Sequence, residues 1–338
     1  MADKKHNTPS EQKQLISIVV PVFNESEGLP LLFEALRASW SDILPETSDF
    51  PAQAIHTLYN LEVVFVDDGS SDDSLDVIRG IAAETLPEWM TVRFIEFSRN
   101  FGKEIATTAG IHHALGDAVL MMDADLQHPP EMLPAFLSEW RAGYEVVIGV
   151  RRDSKSDSVI KRVGGVLFYK IVGLISDVPI VPQATDYRLL DRQVADAFNE
   201  LPERNRITRG LIDWLGFRRT LVHFDAAERS SGEAGYSVIK LINLAFTSLI
   251  SMSLFPLKMA AYLGIIIVTV SIPLGIFMFL DRYVFDWGFA FTGSVILAVM
   301  LMFMIGIVLI CMGLLAFYIG HIYHESQGRQ LYVIRSKK

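Results

Sequence analysis

Short apolar runs alternate with amphipathic stretches over the first 150 residues or so. Ile16-Ser-Ile-Val-Val-Pro-Val-Phe23 is bounded by polar residues and predicts a buried strand, and Leu29, Leu32, Phe33 and Leu36 follow at helical spacing. Leu61–Val66 predicts a second strand that runs into Asp67-Asp68-Gly69-Ser70. Ser71–Glu84 then predicts a helix whose first turn is acidic, as the helix dipole favours. Val92–Phe97, Ala118–Met122 and Glu145–Val150 predict three more strands, with helices over Lys103–Leu115 and about Glu131–Arg141. Two prolines and mixed polarity between Ser39 and Asn60 predict a surface insertion. Continuous apolar strands alternating with helices imply an α/β fold with a mostly parallel sheet covered on both faces.

The pattern changes after Tyr236. Val238, Ile239, Leu241, Ile242, Ala245, Phe246, Leu249 and Ile250 form one broad apolar face, with Lys240, Asn243, Thr247 and Ser251 opposite. This predicts an amphipathic juxtamembrane helix over 237–253. No charged residue lies between Lys258 and Asp281, nor between Asp286 and His321. Each interval exceeds the roughly 20 residues that cross a bilayer core, so transmembrane helices are expected at 254–281 and 288–320. Basic residues (Lys258, Arg329, Arg335, Lys337 and Lys338) flank the outer ends, while the connector Asp281–Trp287 has one Arg against two Asp. Met1–Thr8 has no apolar segment of the kind that directs secretion. The expected topology is therefore multi-pass in the cytoplasmic (inner) membrane. A flexible 1–14, a catalytic domain at 15–236 and a tail at 321–338 all lie on the cytoplasmic side. Small residues at Gly264, Gly275, Gly306 and Gly313 permit close span packing, and with it a homo-oligomer.

Composition narrows the chemistry. Hydrophobic residues make up 51% of the chain, more than an ordinary soluble enzyme carries, and the formal net charge of −9 speaks against a nucleic-acid surface. The single cysteine, Cys311, excludes an internal disulfide and a cysteine-based zinc site. No Gly-x-Gly-x-x-Gly follows the first strand and no Gly-Lys-Ser/Thr loop occurs, which disfavours dinucleotide oxidoreductases and P-loop NTPases. The most informative stretch is Leu120-Met-Met-Asp-Ala-Asp-Leu-Gln-His-Pro-Pro130. A buried strand there delivers Asp123 and Asp125 to the carboxyl edge of a sheet, where open α/β folds bind ligands. Hard cations take oxygen ligands and are commonly shared with substrate phosphates, so the pair reads as a seat for a metal–diphosphate. A solvated acidic turn has the same composition, and residue type alone leaves both readings open.

Several stretches together are more specific. Val20-Pro-Val-Phe-Asn-Glu25, Val66-Asp-Asp-Gly-Ser70 and Asp123-Ala-Asp125 resemble the signatures of the family 2 glycosyltransferases of GT-A fold. More narrowly, Phe97–Glu104, Asp123–Glu131 and Asp186–Arg192 resemble the polyprenyl-phosphate glycosyltransferases. That subfamily includes dolichyl-phosphate mannose synthase and bacterial undecaprenyl-phosphate glucosyltransferases. The likeness runs from about Ser17 onward and includes Leu201–Arg204, Arg209-Gly210 and the paired spans.

The resemblance implies transfer of one sugar from a nucleotide-sugar to the phosphate of a membrane polyprenol such as undecaprenyl phosphate. UDP-glucose is the first choice of donor; GDP-mannose and modified UDP-sugars stay open. It implies a nucleotide pocket lined by Pro21, Phe23 and Glu25, with Asp67 or Asp68 and Lys103 beside it. Asp123, Asp125 and Gln127 would hold Mg²⁺ or Mn²⁺, and Asp186 would orient the acceptor or act as base. The acceptor is already an anion, so in-line displacement with inversion is expected. Guanidinium and ammonium groups suit a lipid phosphate, which points to Arg151, Lys161, Arg162, Arg188, Arg206 and Arg229. The chain departs from the family at Ala234-Gly235, where Ser-Lys is usual, and this leaves that loop's contribution in doubt. A processive polysaccharide synthase is disfavoured because Arg209–Trp214 is not its Gln-x-x-Arg-Trp motif and two spans are too few. A non-catalytic scaffold would have no need of the Asp123, Asp125 and Gln127 cluster.

Overall fold

The computed structural model describes residues 13–44, 53–152, 184–204, 206–225 and 293–338, isolated positions between 273 and 284, and only part of the side chains within 293–326. The predicted amphipathic helix at 237–253 and nearly all of the predicted span at 254–281 lie outside the described residues, as does the N-terminal segment up to residue 12.

In chain order the first elements are β1 (Gln14–Val22), α1 (Gly28–Ser39), β2 (Ile43–Leu44), β3 (Gln53–Ala54), α2 (Ile55–Leu58), β4 (Tyr59–Asp67), α3 (Ser74–Ala83) and β5 (Met90–Phe97). Then come α4 (Lys103–His113), β6 (Ala118–Met121), a 3₁₀ turn at Pro130–Met132, α5 (Leu133–Arg141), β7 (Val146–Arg151) and β8 (Ala184–Asp191). The remaining elements are α6 (Arg192–Asn199), α7 (Thr208–Trp214), β9 (Arg219–Phe224), α8 (Gly293–Ser326) and β10 (Ile334–Lys337).

Eight strands form one sheet in the order β10-β5-β4-β1-β6-β8-β7-β9, and β2 pairs with β3 in a separate ribbon. β5, β4, β1 and β6 run parallel, β7 is parallel to β9, and β8 is antiparallel to both β6 and β7. Six of the eight strands run one way, as a mostly parallel sheet requires, and β8 and β10 run against them. β8 carries the reversal that the apolar pattern did not reveal.

β1 is apolar from Ile16 to Val22 apart from Ser17, because both of its faces are covered. Ile16, Ile18, Val20 and Val22 pack with Leu29, Leu32, Phe33 and Leu36 of α1 and Ile78 of α3. Val19 faces the other way, toward Ala106, Ala109 and Ile111 of α4. Alternate side chains of a strand point to opposite faces, so a doubly covered strand keeps a polar residue only where a buried partner meets it, as Glu62 meets Ser17. α4 lies so close that a Cβ on Gly110 would come 2.1 Å from Val19 Cγ1. The insertion after α1 is not wholly superficial: Trp40 and Ile55 are fully buried in the core.

The last residues return to the eight-stranded sheet. β10 pairs antiparallel with β5 at the sheet edge, Tyr332 stacks on Phe97 at 5.1 Å, and Glu96 accepts hydrogen bonds from Arg335 and Ser336. The chain divides into two compact units: the sheet unit includes Arg329–Lys338, and the second comprises Ile171–Asp177 with Tyr236–Gly328. Of that second unit the main described element is α8, 34 residues long. Counting described residues alone, no helix is long and apolar enough to cross a membrane.

Candidate active site

The carboxyl ends of β4, β1 and β6 are neighbours in the sheet, and the loops that leave them meet at one edge. Asn24, at a left-handed φ of 57°, ties two of these loops together. Its Oδ1 accepts from Ser71 N–H at 2.8 Å, and its own N–H donates to Ser70 Oγ at 3.1 Å. Glu25 N–H donates to Ser74 Oγ at 2.8 Å. Phe23 is nearly half exposed at this edge, between the partly buried Pro21 on one side and Glu25 on the other.

Asp67 and Asp68 have different partners. Asp67 Oδ1 accepts from Ser70 N–H at 3.2 Å and closes the turn. Asp68 is buried, and its two oxygens accept from Phe101 N–H at 2.6 Å and Gly102 N–H at 2.9 Å. Burial pushes the Asp68 carboxyl up from its ordinary range, and the two amides work against that rise. Asp68 therefore fixes the start of α4, the helix that opens with Lys103. Gly69 sits under the same loop at φ 70°, and a Cβ there would lie 2.6 Å from the Arg99 carbonyl carbon. No side chain fits that approach.

Lys103 lies at the centre. Its Nζ is 2.6 Å from Asp123 Oδ1 and 3.0 Å from Asp186 Oδ2, and Arg209 Nε is 3.2 Å from Asp186 Oδ1. The antiparallel register Met121↔Arg188 carries Asp186 to the level of the residues just beyond β6, which explains the meeting. Burial works against the Lys103 charge, yet the two carboxylates outweigh it and raise the ammonium above its ordinary value. Burial likewise opposes the Asp186 charge, and Lys103 and Arg209 hold that carboxyl below its usual range. Lys103, Thr107, Met121, Asp186, Thr208 and Arg209 line a small cleft together with Glu104, whose Oε2 accepts from Thr208 N–H.

Asp125 Oδ1 accepts from Gln127 N–H at 3.1 Å, inside the turn that follows β6. Among the described residues no cluster of three or more His, Cys, Asp or Glu is arranged to hold a metal ion. Two carboxylates of hard oxygen donors at a sheet edge nonetheless suit Mg²⁺ or Mn²⁺, which commonly bind one or two carboxylates and complete their shell with substrate phosphates and water. The donor set fits a cation shared with a diphosphate.

Of the cations singled out for a lipid phosphate, Arg151, Arg188 and Arg206 are among the described residues. Arg188 is 1% exposed and pairs with Asp213 at 2.9 Å inside the protein, so a lipid headgroup does not reach it and its assignment is corrected. Arg206 is also buried, its guanidinium over the Phe198 ring at 4.9 Å and its Nε donating to Glu203 O. Arg151 is exposed at the end of β7. Lys161, Arg162, Arg229 and the departure at Ala234-Gly235 lie outside the described residues. Arg209 and His128 escaped assignment from the sequence, although both stand in stretches that carried the family likeness.

Residues 17–197 match the family described as Glycosyl transferase family 2. The chain is 37% identical over 323 residues to a Bactoprenol glucosyl transferase of Shigella phage SfV, covering 96% of this chain and 99% of that protein. A Prophage bactoprenol glucosyl transferase homolog of Escherichia coli (strain K12) is 36% identical, again over 96% and 99% of the two chains. An Uncharacterized glycosyltransferase, sll0501 of Synechocystis sp. (strain ATCC 27184 / PCC 6803 / Kazusa), is 36% identical over 94% of each.

Proposed function

The chain belongs to glycosyl transferase family 2, and from that membership we propose that it transfers one glucose, with inversion, from UDP-glucose to the phosphate of a membrane polyprenol of the bactoprenol (undecaprenyl) class. The observation that carries this reading is the coverage of the match. Likeness to proteins named bactoprenol glucosyl transferase extends over 96% of the chain, so it includes the apolar C-terminal segments as well as the catalytic sheet.

In the proposed reaction an oxygen of the acceptor phosphate attacks the anomeric carbon of the donor. The new carbon–oxygen bond forms as the bond to the diphosphate breaks, and the electron pair leaves with UDP. No strong base is required, because the attacking phosphate is already an anion. Asp123, Asp125 and Gln127 would hold Mg²⁺ or Mn²⁺, and the cation would neutralise charge on the departing diphosphate. Phe23, Pro21 and Glu25 offer an apolar and acidic wall for the nucleoside, while Asp67 closes the neighbouring turn. The Lys103 ammonium keeps Asp123 and Asp186 together against their mutual repulsion. Asp186, held ionised by Lys103 and Arg209, serves to orient the acceptor.

The membrane arrangement belongs to the same proposal. Spans at 254–281 and 288–320 with an amphipathic helix before them would hold the site at the height of a lipid headgroup. The test is to incubate the detergent-purified full chain with Mg²⁺, undecaprenyl phosphate and, separately, radiolabelled UDP-glucose, UDP-N-acetylglucosamine and GDP-mannose. Label from UDP-glucose should enter the organic phase. Preferential transfer from another donor would overturn the choice of sugar, and label in no lipid product would overturn the reaction.

A further inference from the structure

The turn after β6 holds its shape against local preference. Leu126 has a φ of 61°, in the left-handed region that a leucine rarely adopts and that persists only where the surroundings enforce it. One enforcing contact is His128. Its Nδ1 lies 3.0 Å from the Asp123 backbone nitrogen, which can only donate, so Nδ1 accepts and the ring proton sits on Nε2. A single side chain thereby closes the loop from Asp123 to His128 on the backbone of its first residue.

The ring is itself clamped. His128 is 5% exposed, stacks on Tyr187 at 4.9 Å with the planes 13° apart, and meets the edge of Phe224 at 6.1 Å. Tyr187 Oη donates to Pro129 O at 3.0 Å, immediately after the histidine. Tyr187 also follows Asp186 directly in β8. The ring thus touches, on one side, the strand that carries Asp186 and, through its hydrogen bond, the turn that carries Asp123 and Asp125.

We propose that His128 is a positioning residue: through its acceptor Nδ1 and its stack on Tyr187 it sets the Asp123–Asp125 turn in the shape that receives a metal–nucleotide and keeps that turn in register with Asp186. The inference rests on the donor-site reading given above. Residues one layer behind metal ligands commonly change metal affinity by about 10–100-fold when replaced. His128→Phe retains an aromatic ring to stack and removes only the acceptor, whereas His128→Asn presents an amide oxygen near the place of Nδ1.

The experiment is calorimetric titration of the detergent-solubilised full chain with UDP, in Mn²⁺ and again in EDTA, for wild type and both variants. His128→Phe should weaken UDP binding in Mn²⁺ by at least about 10-fold, leave the weaker metal-free binding unchanged, and be partly rescued in His128→Asn, which restores the acceptor but not the stack on Tyr187. Mn²⁺-dependent affinity equal to wild type in His128→Phe would overturn the proposal. Equal losses with and without metal, or no rescue by asparagine, would do so too, because they mark general damage to the pocket. Wild type that binds no UDP in Mn²⁺ would overturn the donor-site reading itself and this inference with it.

Discussion

Lys103 Nζ and Asp123 Oδ1 stand 2.6 Å apart although the residues begin and end different elements, the first opening α4 and the second just past β6. The pairing exists because Asp68 pins the amides of Phe101 and Gly102, which sets where α4 starts and hence where its first side chain reaches. An acidic turn at the end of β4 thus determines the charge balance at the end of β6.

Lys103→Met removes the charge that links Asp123 to Asp186. Preorganised charges at a reacting phosphate typically contribute factors on the order of 100 in turnover, and a loss of that size in glucose transfer is expected with the fold intact by circular dichroism. Near-normal turnover would mean that the ammonium is only a structural filler.

Gly69→Ala places a methyl group against the Arg99 backbone at a positive φ. Overpacking of this kind costs about 1–3 kcal/mol, and the strain falls on the loop that leads into Lys103. A lower melting temperature together with weaker UDP binding is the expected outcome. Unchanged UDP binding would show that the loop can shift without disturbing the site.

Glu62 is buried at the opposite end of the strands, where it accepts from Ser17 Oγ, Leu115 N–H at 2.9 Å and Arg93 Nη1 at 2.7 Å. Glu62→Ala strands these donors at once. A loss of about 3 kcal/mol is expected from breaking a pair that is buried on one side, read as a lower denaturation midpoint. The substitution leaves the active-site residues untouched, so donor affinity measured well below that midpoint should stay close to wild type.

The docked tail should respond to pH. Burial, then the charges of His112, Lys337 and Arg93, hold the His113 imidazolium below the ordinary histidine range. Lys337 lies on β10, and Tyr332 Oη is 3.4 Å from His113 Nε2. A histidine whose folded pKa is depressed binds fewer protons than its unfolded counterpart, so the stability it contributes is present above about 6.5 and is lost as pH falls below that value. Hydrogen exchange of the Ile334–Lys337 amides, corrected for intrinsic rates, should quicken between about pH 7.5 and pH 5.5. A His113→Phe variant should flatten the response; an unchanged profile in wild type would contradict the linkage.

The sequence was informative wherever one local pattern determined the outcome. β1 and β4 are legible because both faces of each are buried, and Asp123-Ala-Asp125 is legible because a buried run stops there. β8 was missed because its polar positions, Thr185, Asp186 and Arg188, interrupt the apolar signal. They are tolerated by long-range partners: Arg188 by Asp213 and Asp186 by Lys103 and Arg209. β10 was missed for a related reason, since Ile-Arg-Ser-Lys becomes a strand only when the edge of β5 and Glu96 are there to receive it. Arg188 misled because a charged residue type suggests exposure, whereas only the tertiary structure shows the buried partner.

The most direct test is transfer of radiolabelled glucose from UDP-glucose to undecaprenyl phosphate by the purified full chain in Mg²⁺, comparing wild type with Asp125→Asn. The account predicts an organic-phase product for wild type that disappears with EDTA. It also predicts a loss on the order of 100-fold or more in a folded Asp125→Asn protein. Undiminished transfer by Asp125→Asn, or wild-type transfer indifferent to chelation, would contradict the claim that Asp125 helps seat a cation on the departing diphosphate.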